Sequence, residues 1–184
     1  MSRTVFLAGA SGVIGVPLSR MLVAAGWQVY GSTRNLDRAT ALRDAGVSPV
    51  VVDVFDARAL TEAVSAVRPD VVVHQLTDLP AQRTSEAMAG ALVRNARLRR
   101  EGTRHLVDAA LAAGCARMVA QSIAWAYAPG ALPHTEEDPL DIAAQGERAT
   151  TVQAVRVLES AVLQTPGLSG AVLRYGKLYG PGTW

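Results

Sequence analysis

The chain has 184 residues, 18 Lys and Arg against 16 Asp and Glu for a net charge of +2, and a single cysteine. A chain of this length suits one domain, here residues 1–184, with its own core. The lone thiol, Cys115, excludes an internal disulfide and a thiolate metal set, and the near-balanced charge argues against a nucleic-acid partner. No run approaches the roughly 18 uninterrupted apolar residues of a membrane span, and Arg3 is not followed by a signal-peptide core, so a soluble, cytoplasmic protein is expected.

The first element is an apolar strand at about 3–8 that ends in Gly9-Ala10-Ser11-Gly12-Val13-Ile14-Gly15. Glycines at 9, 12 and 15, between a strand and a helix pattern from Val13 to Ala25, form a dinucleotide-binding turn. The first allows the tight turn, the second lets a diphosphate approach bare backbone, and the third lets helix and strand pack closely. Free N–H groups at the helix start then face the phosphates.

Further strands are expected at about 27–32, 48–52, 70–75, 117–121 and 170–174, alternating with helices. Gly26 and Gly46 close the first two helices, Asp56 opens the third, and Pro69 follows its end. A long helical pattern runs from Thr84 to Ala113, and another lies near 144–164. The expected fold is a three-layer, doubly wound parallel sheet of about six strands, the Rossmann class.

The end of the second strand decides between cofactors. An NAD site places Asp or Glu there to grip the ribose 2′-hydroxyl, whereas the segment here is Tyr30-Gly31-Ser32-Thr33-Arg34. Arg34 suits a 2′-phosphate, with the Ser32 and Thr33 hydroxyls as additional donors, which favours NADP over NAD. An alternative keeps Arg34 in solvent and gives the ribose to Asp37, so NAD stays possible.

Later motifs add to this. Strand four ends His74-Gln75-Leu76-Thr77, the long helix carries Glu101-Gly102-Thr103, and near the end stands Leu173-Arg174-Tyr175-Gly176-Lys177-Leu178-Tyr179-Gly180-Pro181-Gly182. In this order they resemble the NAD-dependent epimerase/dehydratase branch of the extended short-chain dehydrogenase/reductase superfamily. The resemblance implies that Gly9, Ser11, Gly12, Val13, Ile14 and Gly15 form the pyrophosphate loop. It further implies that Asp53 and Val54 meet the adenine, with a plain turn role for Asp53 as the alternative. Leu76 and Thr77 then lie along the ribose, and Ser122, just after strand five, floors the nicotinamide site. His74 reads as a packed histidine.

The family's Tyr-x-x-x-Lys pair is missing. Lys177 is the one lysine, with Leu173 four residues before it. If Glu159 matches the glutamate that follows the motif, the tyrosine and lysine positions fall on Thr151 and Val155, and the family's serine falls on Ile123 beside Ser122. Candidate catalytic residues are therefore Tyr127 and Ser122, with Tyr127 as a wall of the pocket the alternative. His134, Glu136 and Glu137 read as a solvated turn, and no metal set is visible among His74, His105 and His134.

The family's C-terminal substrate region, roughly another hundred residues, is not in this sequence, which ends at Trp184. The resemblance implies an NAD(P)-dependent oxidoreductase or epimerase acting on a small or sugar-like carbonyl compound. A dinucleotide-binding module without turnover and a fragment of a longer enzyme are the alternatives. It also implies a homodimer through the helices near 84–113 and 144–164.

Overall fold

The computed structural model describes residues 3–80 and 84–180. Pro181 and Gly182 of the last motif and the terminal Trp184 lie outside the described residues.

In chain order the strands are β1 (Thr4–Ala8), β2 (Gln28–Thr33), β3 (Ser48–Val51), β4 (Val71–His74), β5 (Arg117–Ile123) and β6 (Ser169–Tyr175). The helices are α1 (Gly15–Ala24), α2 (Leu36–Asp44), α3 (Ala57–Val67), α4 (Ser85–Arg97), α5 (Thr103–Ala112) and α6 (Gly146–Leu163). All the strands pair in parallel in the order β3-β2-β1-β4-β5-β6. Each strand-to-strand connection crosses over, which a parallel sheet requires.

The apolar run of β1 is buried on both sides, the expected state of a central parallel strand. Val5 and Leu7 pack with Val29, Leu42, Val47 and Val73 on the α1–α2 side. Phe6 and Ala8 pack with Leu60, Val64, Leu106, Met118 and Leu158 on the α3–α5–α6 side. Cys115 joins this second cluster as a small buried side chain.

Three boundaries differ from expectation. Val13 and Ile14 belong to the turn, and α1 begins at Gly15. The long helix of 84–113 is broken by a π turn at Leu98–Gly102, which sets Gly102 so close to Val54 that a Cβ would lie 3.3 Å from Cγ1. No proline or cap marks that turn, so the apolar periodicity reads straight through it. Strand β5 extends to Ile123, which puts Ser122 inside the strand rather than after it.

Candidate functional site

A cleft of about 370 Å³ opens along the C-terminal ends of β1, β2 and β4. The strand order turns back on itself between β1 and β4, and such switch points are where open parallel sheets bind ligands.

The β1–α1 turn forms its middle. Gly9 has φ +91°, and a Cβ there would lie 2.8 Å from the Gln75 backbone. A Cβ on Gly15 would overlap the Gly9 carbonyl oxygen and stand 2.7 Å from Ala10 backbone atoms. Both positions therefore require glycine for the turn to close. Ser11 and Gly12 line the cleft, while Val13 is exposed and Gly15 is buried. Ile14 precedes α1 without a side-chain cap and no acid stands in the first turn, so the helix start is available to an anion. This cradle fits the diphosphate of a dinucleotide.

At the end of β2, Ser32 and Thr33 line the cleft but are largely buried. The Thr33 hydroxyl accepts the Asn35 N–H at 3.2 Å, so part of its capacity is spent locally. Asn35 caps α2 by accepting the Asp37 N–H at 2.7 Å. Arg34, Asn35 and Arg38 line the cleft, and Asp37 is exposed without joining them. Arg38 was not expected from the sequence. Its signal was there to read, one helical turn beyond Arg34 in the first turn of α2.

Beyond β3, Val52, Val54 and Phe55 line the cleft. Asp53 is exposed, and its Oδ1 accepts the Phe55 N–H at 3.0 Å, so the carboxylate shapes the turn that presents Val54. His105 Nδ1 meets the Val54 carbonyl oxygen at 2.8 Å and steadies the same turn from α5.

At the end of β4, Gln75, Leu76 and Thr77 line the cleft. Asn95 clamps the following loop, donating to the Asp78 carbonyl at 2.7 Å and accepting the Asp78 N–H at 2.9 Å. His74 is buried. Its Nδ1 accepts the Leu76 N–H at 3.2 Å, which assigns the ring proton to Nε2 and its bond to Thr103 Oγ1 at 3.0 Å. Burial, assisted by the nearby Arg99 charge, lowers its pKa to about 4. The imidazole is neutral at pH 7 and works as a structural link between β4 and α5.

The candidate catalytic side chains lie further along the sheet. Ser122 is buried and donates to Glu159 Oε1 at 2.7 Å. Glu159 also binds Arg174, whose guanidinium stands 4.6 Å from the Tyr127 ring centroid and is held well above its ordinary pKa chiefly by the Glu159 hydrogen bond. Tyr127 also stacks on His134, with ring centroids 4.8 Å apart. Arg148 donates to the Tyr127 carbonyl at 2.9 Å and the Trp125 carbonyl at 2.8 Å. Tyr127 and Ser122 are thus joined through one ionic cluster, and neither lines the cleft. Thr151 and Val155 both sit on α6, with Val155 buried in a small apolar cluster. Among the described residues, no three His, Cys, Asp or Glu side chains converge on a possible metal position, and no helix is long and apolar enough to cross a membrane.

The model of the NAD dependent epimerase/dehydratase family matches residues 5–183. The chain belongs to this family. A Streptomyces relative, 3-diazoavenalumate denitrifying reductase, is 50% identical over 181 residues, covering 97% of this chain and 57% of its own. Two solved structures share the fold. The Bordetella bronchiseptica enzyme WbmG in complex with NAD is 19% identical with a TM-score of 0.75, covering 95% of this chain and 53% of its own. UDP-glucose 4-epimerase of Thermotoga maritima with UDP-glucose is 18% identical with a TM-score of 0.76, covering 97% and 57%. The chain therefore spans little more than half the length of these proteins.

Proposed function

We propose that this chain is the dinucleotide-binding part of an NADP(H)-dependent reductase that acts on a small molecule. The observation that carries the reading is the pair Arg34 and Arg38 beside the cleft at the end of β2, where Asp37 does not join the lining. Two guanidiniums match the charge and the oxygen geometry of a 2′-phosphate better than any neutral hydroxyl.

The cofactor, when bound, supplies hydride. The chain's residues do the rest: the turn at Gly9–Gly12 receives the diphosphate, Val54 and Phe55 offer an apolar wall, and Leu76 and Thr77 border the ribose. The 50% identical relative is named a reductase, which supports net reduction over epimerisation. A small electrophile, in the simplest case a carbonyl compound, is the substrate class we propose.

Titration of the chain with NADPH and NADH tests this. Tighter binding of NADPH, lost on Arg34→Ala, is expected; equal affinities that Arg34→Ala leaves unchanged sink the assignment.

A second reading, a module that binds the dinucleotide without turnover, is favoured by one observation. If Glu159 matches the glutamate that follows the family's motif, Thr151 and Val155 stand in place of its tyrosine and lysine, and the Ser122 hydroxyl is tied to Glu159.

We also propose a homodimer through α4 and α6, supported by Val93, Val157 and Leu163, which are 65%, 38% and 53% exposed on those helices. Light scattering that returns a monomer at high micromolar concentration overturns it.

A further inference from the structure

Gln75 stands directly after β4, lines the cleft and is 6% exposed. One edge of its amide is engaged, with Nε2 donating to the Tyr175 hydroxyl at 3.2 Å. The other edge is not: Oε1 is buried and has no hydrogen-bond partner among the described residues. Leaving a buried amide oxygen unpaired is costly, so such an atom on a residue that lines the cleft points to a ligand that completes it when the side chain turns.

The position along the sheet identifies which part of the ligand. Tyr175 closes β6 and Gln75 follows β4, so their hydrogen bond spans β5. This is the end of the sheet opposite Arg34 and Arg38, with the diphosphate turn of β1 between them. A dinucleotide whose adenosine half lies at β2 and whose diphosphate lies at β1 brings its nicotinamide to β4, β5 and β6.

We propose that the Gln75 amide, held at one edge by Tyr175, recognises the carboxamide of the nicotinamide ring. This rests on the proposed occupancy of the cleft by a nicotinamide dinucleotide. A carboxamide carries a donor and an acceptor on one plane, which is what a primary amide with one free edge can pair with. The terminal torsion of glutamine is soft, so a small twist turns the free edge toward the cleft.

Three probes separate the possibilities by calorimetry: NADPH, its 3-acetylpyridine analogue, in which methyl replaces the amide nitrogen, and 2′-phospho-ADP-ribose, which lacks the ring altogether. The chain is expected to bind NADPH about three- to tenfold more tightly than the acetylpyridine analogue, the worth of one neutral hydrogen bond. Gln75→Leu removes that discrimination and leaves the affinity for 2′-phospho-ADP-ribose unchanged. Tyr175→Phe, which frees the amide without deleting it, reduces the discrimination partly. Discrimination that survives Gln75→Leu overturns the proposal. So does an equal loss for NADPH and 2′-phospho-ADP-ribose, since that assigns Gln75 to holding the β1 turn. If none of the three probes binds the parent chain, the reading of the cleft itself fails, an outcome distinct from both.

Discussion

Glu159 in α6 holds Arg174 in β6 through both carboxylate oxygens, at 3.0 Å to Nε and 2.9 Å to Nη2, and the same carboxylate accepts the Ser122 hydroxyl at 2.7 Å. The side chains are 8% and 19% exposed, so the pair is withdrawn from solvent. Arg174 passes the constraint on, donating to the Asp138 carbonyl at 3.1 Å and covering Tyr127. One ion pair thus fixes β5, β6, α6 and the loop that carries Tyr127.

Removing one partner of such a pair strands the other. Glu159→Ala is expected to cost about 3 kcal/mol, the lower part of the range for buried pairs because Arg174 keeps some access to water. Ser122→Ala removes a single hydrogen bond and is expected to cost about 1 kcal/mol while leaving dinucleotide affinity unchanged. Urea unfolding and calorimetric titration check both. A Ser122→Ala chain of parental stability that no longer binds dinucleotide returns Ser122 to the cofactor site.

Arg38 gives the second prediction. It stands in the first turn of α2, where its charge opposes the positive end of the helix. Arg38→Ala should therefore leave stability within about 0.5 kcal/mol of the parent. It should weaken NADPH by about tenfold or more, the value of a charge-assisted contact, with little change for NADH. Parallel titrations decide it, and equal losses for the two nucleotides assign Arg38 to something other than the 2′-phosphate.

His74 makes stability depend on pH. Its folded pKa is lowered to about 4 by burial and then by Arg99, while in the unfolded chain it titrates near 6.5. Between those values the unfolded chain binds the extra proton, so stability is present above about 6.5 and is lost as pH falls toward 4. The loss is at most about 3 kcal/mol, at about 1.4 kcal/mol per unit. The groups facing the ring are the Thr103 hydroxyl, the Leu76 N–H and the Arg99 charge. Arg99→Gln should raise the ring's pKa while burial keeps it below 6.5. A ring titration followed by NMR gives both values, and an unshifted His74 in the parent chain contradicts the account.

The parts of this site legible in the sequence are those where one residue type answers one local demand. Gly9 and Gly15 are dictated by backbone contacts a Cβ cannot survive, and Gly26 and Gly46, with φ of +80° and +77°, end α1 and α2 where a left-handed residue is needed. The β1 run reads as a strand because both its faces are buried. What could not be read depends on distant partners. Ser122 looks like a free hydroxyl until Glu159, 37 residues on, is found bonded to it. Gln75 and Tyr175 are 100 residues apart, and neither has a neighbour in sequence that hints at the other. The π turn at Leu98–Gly102 follows from packing against Val54 and α6, not from any breaker in the helix itself.

Tyr127 remains the tyrosine whose chemistry is easiest to test, because its ring and its hydroxyl do different work. The ring is stacked on His134 and covered by Arg174, and phenylalanine preserves both contacts. Tyr127→Phe should accordingly fold with nearly parental stability. A general acid is worth about a hundred- to ten-thousandfold in rate. Tyr127 does not line the cleft, and the chain's single lysine, Lys177, is not preceded by a tyrosine four residues earlier. The expected outcome is therefore that Tyr127→Phe changes turnover by less than about tenfold and that the rate shows no tyrosine ionisation. The assay follows NADPH oxidation against a panel of aldehydes, ketones and quinones, with cofactor affinity measured alongside. A hundredfold loss at unchanged NADPH affinity would make Tyr127 the proton donor, with Arg174 the positive charge nearest its ring.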